Sequence, residues 1–486
     1  MKTDTGELYR NYINGKWVDA SDGDTIENRN PADTGDLVSR HAAASTDDAK
    51  AAVDAAAAAF PAWRDMPIGK RAAIMDKAAA YLEANADQFG RELAREEGKL
   101  LSLGVAEVKR AAQTLRFYAI EAQTLTGETY PQDDPDMLVY STREPLGVAT
   151  VITPWNFPVS IPARKIAPAL ITGNTVVFKP STEAPMIAYR LAEAFVQAGI
   201  PDGVLNLLIG SAKATGAAIT TDPRVRAVSF TGSTAAGEYI HRSLPITTRS
   251  QMELGGKNPL IVLSDADLDK AVKLAVAGGF SLTGQACTGT SRVIVMRDVK
   301  EALVEKLAAA ASAMTVGNGL DEGTKVGPLA SAAQLRNVMG YIEVGKSEAR
   351  LVAGGSQLTG GAYDQGYFVE PTVFADVPRD ARIAQEEIFG PVISVIEAAD
   401  YDEAIEIAND VQYGLSASLV TNDFRYIQRF PQDIEAGTVK VNRTTTGNLV
   451  NAPFGGVKMS STATFRESGR AGLEFFTQIK TVYLGR

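Results

Sequence analysis

Two rhythms of apolar and polar positions run along the 486-residue chain, and they meet near residue 147. Before it the period is helical. Thr46-Asp47-Asp48-Ala49-Lys50 and the alanine-rich run to residue 61 predict a capped helix. A hydroxyl residue stands at the start, acids fill the first turn, and strong helix formers follow. Residues 68–97 continue at helical spacing, with Ile74, Ala78, Tyr81 and Leu82 on one face. After residue 147 short continuous apolar runs take over. Val148-Ala149-Thr150-Val151-Ile152 predicts a buried strand. A helix over 163–170 follows, then the turn Thr172-Gly173-Asn174, a strand over 175–179, a helix over 187–198 and a strand over 204–208. A short helix then precedes a strand over 227–230.

Strands alternating with helices predict an α/β fold with a parallel, doubly wound sheet. The pattern restarts after residue 255, with a strand over 259–263, a helix over 267–279 and a strand over 292–296. Gly255-Gly256 reads as a hinge between the two units. Gln478-Ile479-Lys480-Thr481-Val482-Tyr483-Leu484 alternates like a strand that pairs with another segment or another chain.

Composition narrows the function. The chain carries 48 Lys and Arg against 58 Asp and Glu, a net charge of −10. That balance argues against nucleic acid as a partner. No apolar run approaches the ~20 residues that cross a bilayer. Met1-Lys2-Thr3-Asp4-Thr5-Gly6-Glu7 has no apolar signal core, and one cysteine suits a reducing cytoplasm. The expectation is a soluble cytoplasmic chain with no membrane partner. Only two histidines occur, His41 and His241, and both read as surface or filler positions. A metal site built from His or Cys is excluded.

The single cysteine, Cys287, lies in the small, polar turn Ser281-Leu282-Thr283-Gly284-Gln285-Ala286-Cys287-Thr288-Gly289, which leaves its sulfur approachable. With so few histidines, a nucleophilic thiol here would be activated by a carboxylate, a lysine or backbone dipoles. Other candidates sit where doubly wound sheets bind ligands, at the carboxyl ends of strands. Asn156, between Pro154 and Pro158, has an amide suited to an oxyanion, with an Asx-turn as the alternative. Lys179 ends an apolar strand, suited to phosphate or ribose or simply solvated. Gly232-Ser233 opens a helix whose amides suit a phosphate, or it is a plain turn. Glu253, beside Gly255-Gly256, has the freedom a general base needs, or it is a surface carboxylate.

Taken in order these segments resemble the NAD(P)-dependent aldehyde dehydrogenases. The segments are Thr153–Pro158, Val177–Pro180, Phe230–Thr234, Glu253–Lys257, Gly284–Cys287, Glu387–Pro391 and Asn451-Ala452-Pro453-Phe454-Gly455-Gly456. The resemblance implies a Rossmann-type cofactor domain over 1–124 and 146–254 and a catalytic α/β domain over 255–455. It also implies a small β extension over 125–145 and 472–486 that builds homodimers or homotetramers. It makes Cys287 the nucleophile, Asn156 and the Cys287 amide the oxyanion donors, Glu253 the base that hydrolyses a thioester, and Lys165 a proton relay. Thr153, Trp155, Lys179, Ser181, Thr182, Gly232, Ser233, Leu254, Glu387 and Phe389 fall at its cofactor site. Glu253 favours a free acid over transfer to coenzyme A. NAD-preferring relatives carry a Glu three residues after the lysine; here Thr182 stands there, which predicts NADP in preference to NAD. Glu183, one residue on, keeps NAD open.

The segments around Cys287, Asn442–Asn448 and Ser460–Thr462 look like α-ketoglutaric semialdehyde (2,5-dioxovalerate) dehydrogenases. Arg164 matches an arginine that grips a substrate carboxylate, and a guanidinium pairs bidentately with one. Phe157, Ser281, Thr288 and Arg443 complete the expected substrate pocket. Ser281 replaces the second arginine usual in succinate-semialdehyde dehydrogenases. That enzyme, a general aldehyde dehydrogenase, and a thiol hydrolase or acyltransferase without a redox step stay open at this point.

Overall fold

The computed structural model of the chain describes residues 7–485, so the stretch Met1–Gly6 read above for a signal lies outside the described residues. Two seven-stranded sheets dominate. In the first the order is Arg249–Glu253, Val225–Thr231, Val148–Ile152, Thr175–Lys179, Leu205–Leu207, Asn11–Ile13 and Lys16–Val18. The first five strands are parallel, and the last two add on antiparallel. Every residue of Val148–Ile152 and Thr175–Lys179 is buried. Helices cover both faces, which is why these strands read as apolar runs without alternation.

Register does the work that matters for function. Thr231 pairs with Glu253, Phe230 with Ile152, and Ile152 with Lys179. Four strands therefore end side by side, and Glu253, Gly232, Thr153 and Lys179 emerge along one edge.

The second sheet runs Arg350–Ala353, Thr372–Ala375, Val392–Ala398, Thr290–Met296, Asn258–Val262, Ser416–Val420 and Thr438–Val441. All its pairs are parallel except the first. Gly255 and Gly256 lie buried between Glu253 and the first strand of this unit. A third sheet joins Thr129–Tyr130, Met137–Pro145 and Thr477–Gly485, antiparallel from Thr477↔Pro145 to Gly485↔Met137. It leaves Leu138, Ile479, Tyr483 and Leu484 exposed.

Local chemistry moves several boundaries. The helix Thr46–Asp65 is capped by Ser45, one residue before the expected Thr46, and Asp48 completes a capping box. The helix expected over 68–97 is two helices, Ile68–Ala84 and Ala86–Glu97. They part at Asn85, whose side-chain amide donates to the Tyr81 carbonyl at 2.8 Å and competes with the helix ladder. His41 is fully buried, and burial drives its pKa down to about 3. It is a neutral core ring beside Tyr9, while His241 is exposed. Among the described residues no helix is long and apolar enough to cross a membrane.

Candidate active site

Cys287 stands on a turn held from three sides. The helix Leu268–Gly279 runs into the short 3-10 turn Ser281–Gly284, where Leu282 and Thr283 adopt left-handed φ values of 53° and 55°. Such backbone costs about 1–3 kcal/mol per residue and persists only where neighbours enforce it. A Cβ on Gly284 would lie 2.0 Å from the Gly390 carbonyl, so only glycine fits there. The Asn258 amide donates to the carbonyls of Cys287 and Gly289 at 2.8 and 2.9 Å. The thiol is half-buried, and burial, then the nearby Glu387 carboxylate, push its pKa up to about 12. At neutral pH the resting sulfur is therefore a thiol.

Asn156 lies on the loop after Val148–Ile152 and is buried. Its amide donates to the Gln285 carbonyl at 2.9 Å, tying this loop to the cysteine turn. Behind it is a network that sequence reasoning missed. Lys99 donates to the Asn156 carbonyl at 2.8 Å and to Glu107 at 2.6 Å. The other Glu107 oxygen accepts the amides of Val159 and Ser160, each at 3.1 Å. Lys99 also lies 5.2 Å from the centre of the Phe157 ring. Lys99 lies between the helices Ala86–Glu97 and Leu101–Glu121, Glu107 on the second, and only tertiary packing singles them out.

On the opposite side Glu253 ends its strand, buried, with one oxygen accepting the Ser461 hydroxyl at 3.2 Å. Its other oxygen has no hydrogen-bond partner among the described residues. Burial, then the Glu467 carboxylate, hold its pKa well above the usual range. Glu467 pairs with the Lys165 amine at 2.6 Å and with Arg164 at 3.2 Å. Those two cations overcome burial and hold Glu467 below the usual range. Lys165 also donates to the Ser229 hydroxyl at 3.0 Å. Glu467 was also missed; a single carboxylate in a polar segment carries no spacing signal.

These groups border a cavity of about 440 Å³. Cys287, Glu253, Phe157, Arg164, Ser281 and Thr288 line it, as do Arg110 and Leu254. One expectation needs correction. Arg443 is exposed and lies outside the lining, because its backbone faces inward to take the Ser418 hydroxyl. Arg164 lines the cavity, with Glu467 holding one of its nitrogens.

A second group of residues gathers along the strand ends. Lys179 is buried; its amine reaches the Pro180 carbonyl at 3.3 Å, and burial lowers its pKa to about 8. Ser181 and Thr182 follow, half-buried, and Glu183 is exposed. The Thr153 hydroxyl is buried without a hydrogen-bond partner among the described residues. Ser233 caps the helix Thr234–Ser243, and a Cβ on Gly232 would stand 2.5 Å from the Phe230 ring. The Trp155 and Phe389 rings meet edge to face at 5.5 Å. Glu387 accepts the Gly256 amide at 2.9 Å, and burial pushes its pKa up to about 7. A cation with only a carbonyl partner among the described residues, an exposed helix N-terminus and a carboxylate fit the phosphates and ribose hydroxyls of a dinucleotide.

The aldehyde dehydrogenase family matches the chain over residues 17–482. The chain belongs to this family. It is an aldehyde dehydrogenase, an oxidoreductase that acts on an aldehyde with NAD(P). That sets aside the thiol hydrolase left open by the residues alone. An α-ketoglutarate semialdehyde dehydrogenase of Haloferax volcanii is 45% identical over 476 residues, 98% of each chain. An α-ketoglutaric semialdehyde dehydrogenase of Bacillus subtilis is 44% identical over 478 residues, again 98% of each. The solved structure of an Escherichia coli NADP-dependent enzyme superposes with a TM-score of 0.94 at 36% identity, covering 99% of this chain and 98% of that one. The aldehyde dehydrogenase fold accounts for both large sheets.

Proposed function

We propose that this aldehyde dehydrogenase oxidises a semialdehyde acid, 2,5-dioxovalerate to 2-oxoglutarate, and releases the free acid. The observation that carries this reading is the cavity itself, where a thiol, a buried carboxyl and the Arg164 guanidinium face one space. The relatives in Haloferax volcanii and Bacillus subtilis support the choice of substrate.

Cys287 gives its proton to water and attacks the aldehyde carbon as a thiolate, and the oxyanion that forms is met by the Asn156 amide and the Cys287 backbone N–H. Such donors are effective because they are already in place before charge develops. NAD(P), when bound, supplies the hydride acceptor that converts the thiohemiacetal into a thioester. Trp155, Thr153, Lys179, Ser181, Thr182, Gly232, Ser233, Leu254, Glu387 and Phe389 would hold it. Glu253, in its ionised form, then takes a proton from water, and the hydroxide discharges the thioester. Lys165 lies one carboxylate away from Glu253, through Glu467, as a relay for that proton.

Small hydroxyls at Ser181 and Thr182 beside Lys179 leave room and donors for a 2′-phosphate, so NADP is the expected cofactor in preference to NAD. The exposed apolar side chains of the Thr477–Gly485 sheet suit pairing with a second copy, giving a homodimer or homotetramer in the cytoplasm.

Reduction of NADP and NAD is followed with 2,5-dioxovalerate, succinic semialdehyde and a neutral aldehyde of similar length. The acids are expected to exceed the neutral aldehyde in kcat/KM by about tenfold or more, from a charge-assisted contact that the neutral aldehyde lacks. Equal turnover of the neutral aldehyde would refute the semialdehyde-acid reading.

A further inference from the structure

The cavity carries more positive charge than its carboxylates account for. Glu107 is consumed by Lys99 and two backbone amides. Glu467 is shared between Lys165 and Arg164. Glu253 is driven toward its neutral form by burial and by Glu467. Arg110 remains. It lies on the helix Leu101–Glu121, one turn after Glu107, and lines the same cavity as Arg164. Among the described residues no carboxylate comes within ion-pair distance of it.

Its direction is fixed by backbone. Arg110 donates to the Asn448 carbonyl, and Thr446, Gly447 and Asn448 form the cavity wall there. That loop is itself pinned, because the Lys440 amine donates to the carbonyls of Thr445, Thr446 and Gly447 at 2.8, 2.6 and 2.6 Å. A guanidinium has five N–H donors, so the one contact to Asn448 leaves most of them for a ligand.

We propose that Arg110 is the second cation of a split anion site, gripping together with Arg164 the terminal carboxylate of the substrate. The proposal rests on the semialdehyde-acid reading and names a residue that determines it. Partial burial, then repulsion from Arg164, lower the Arg110 pKa, and an anion between the two guanidiniums would relieve that repulsion. The division also explains how the pocket works with Ser281, which offers only a hydroxyl. Arg164 is half-engaged by Glu467 and sets the position of the carboxylate. Arg110, at the more exposed end, supplies charge that no carboxylate among the described residues pairs.

The test is the ratio of kcat/KM for 2,5-dioxovalerate to that for the neutral aldehyde, in the wild type and in Arg110→Gln and Arg110→Lys. In Arg110→Gln the ratio is expected to fall about tenfold, through KM for the acid, and Arg110→Lys is expected to recover part of it. Inhibition by glutarate, a dicarboxylate with no aldehyde, is expected to weaken in parallel in Arg110→Gln. Thermal melting of each variant identifies any loss of fold. An unchanged ratio with unchanged glutarate inhibition would overturn the role of Arg110 and leave the semialdehyde-acid reading standing. An equal loss on both substrates would make Arg110 a structural tie to Asn448 and also overturn the proposal. A wild-type ratio near one would overturn both readings.

Discussion

Two buried charge networks flank Cys287, and they are built to opposite ends. On one side Lys99, Glu107 and the loop Asn156–Ser160 form a set closed at the Glu107 carboxylate, both of whose oxygens are matched. The lysine spans a carboxylate and the Asn156 carbonyl, and the carboxylate spans the lysine and two amides. Buried charges matched this way make a rigid frame. On the other side Glu253, Glu467, Lys165 and Arg164 form an open set. Two carboxyls share two cations, and one Glu253 oxygen has no hydrogen-bond partner among the described residues. The first arrangement holds an amide still. The second holds one carboxyl buried, with its pKa above the usual range. The comparison teaches a division of labour, with acyl-enzyme formation framed by the closed set and acyl-enzyme discharge driven by the open one.

The sharpest way to break that division is Glu253→Gln. Steady turnover is expected to fall about 10³-fold, while a first burst of reduced cofactor survives. Loss of the burst as well would show that Glu253 serves the first half-reaction too. Because burial and Glu467 raise the Glu253 pKa, its ionised fraction, and with it steady turnover, should climb with pH at values above the range where an ordinary carboxylate titrates. That acid limb is expected to vanish in Glu253→Gln.

Asn156→Ala is the mirror experiment. The burst itself is expected to slow about 10²-fold, as for the loss of one oxyanion donor. A normal burst with slow steady turnover would place Asn156 on the wrong side of the comparison.

The thiol offers a test of the shared centre. With its pKa pushed up to about 12, alkylation of Cys287 by iodoacetamide in the cofactor-free enzyme should rise about tenfold per pH unit from neutrality upward. A plateau near neutral pH would mean that the resting sulfur is already a thiolate.

The smallest expected effect on rate belongs to the frame. Lys99→Met leaves Glu107 buried without its cation, which should cost about 3–5 kcal/mol of stability in denaturant unfolding. The burst should slow only about fivefold, since Asn156 keeps its hydrogen bond to Gln285 and loses the positional help estimated in proximity effects. No loss of stability would show that the Lys99–Glu107 pair is not the frame proposed.

Much of this organisation was legible in the residues, and the reason is local. The strands Val148–Ile152 and Thr175–Lys179 are buried on both faces, so they stand out as short apolar runs bounded by turns. Cys287, Glu253 and Asn156 sit beside glycines, prolines or strand ends that mark them. Asn85 was harder, because one side-chain hydrogen bond divides a periodic stretch without disturbing its period. The partners Lys99, Glu107, Arg110 and Glu467 were invisible for a different reason. Each is a charged residue in an ordinary context, and its meaning comes from a neighbour far away in sequence. Arg443 misled in the opposite sense, since closeness along the chain to a recognisable segment placed it in a pocket it does not reach.

The division of labour is tested most directly by the intact mass of Glu253→Gln after mixing with NADP and 2,5-dioxovalerate. The account predicts one acyl group retained on Cys287, and none when Cys287→Ala is combined with it. Unmodified Glu253→Gln after a full burst of reduced cofactor would contradict it, because the thioester would then be discharged without Glu253.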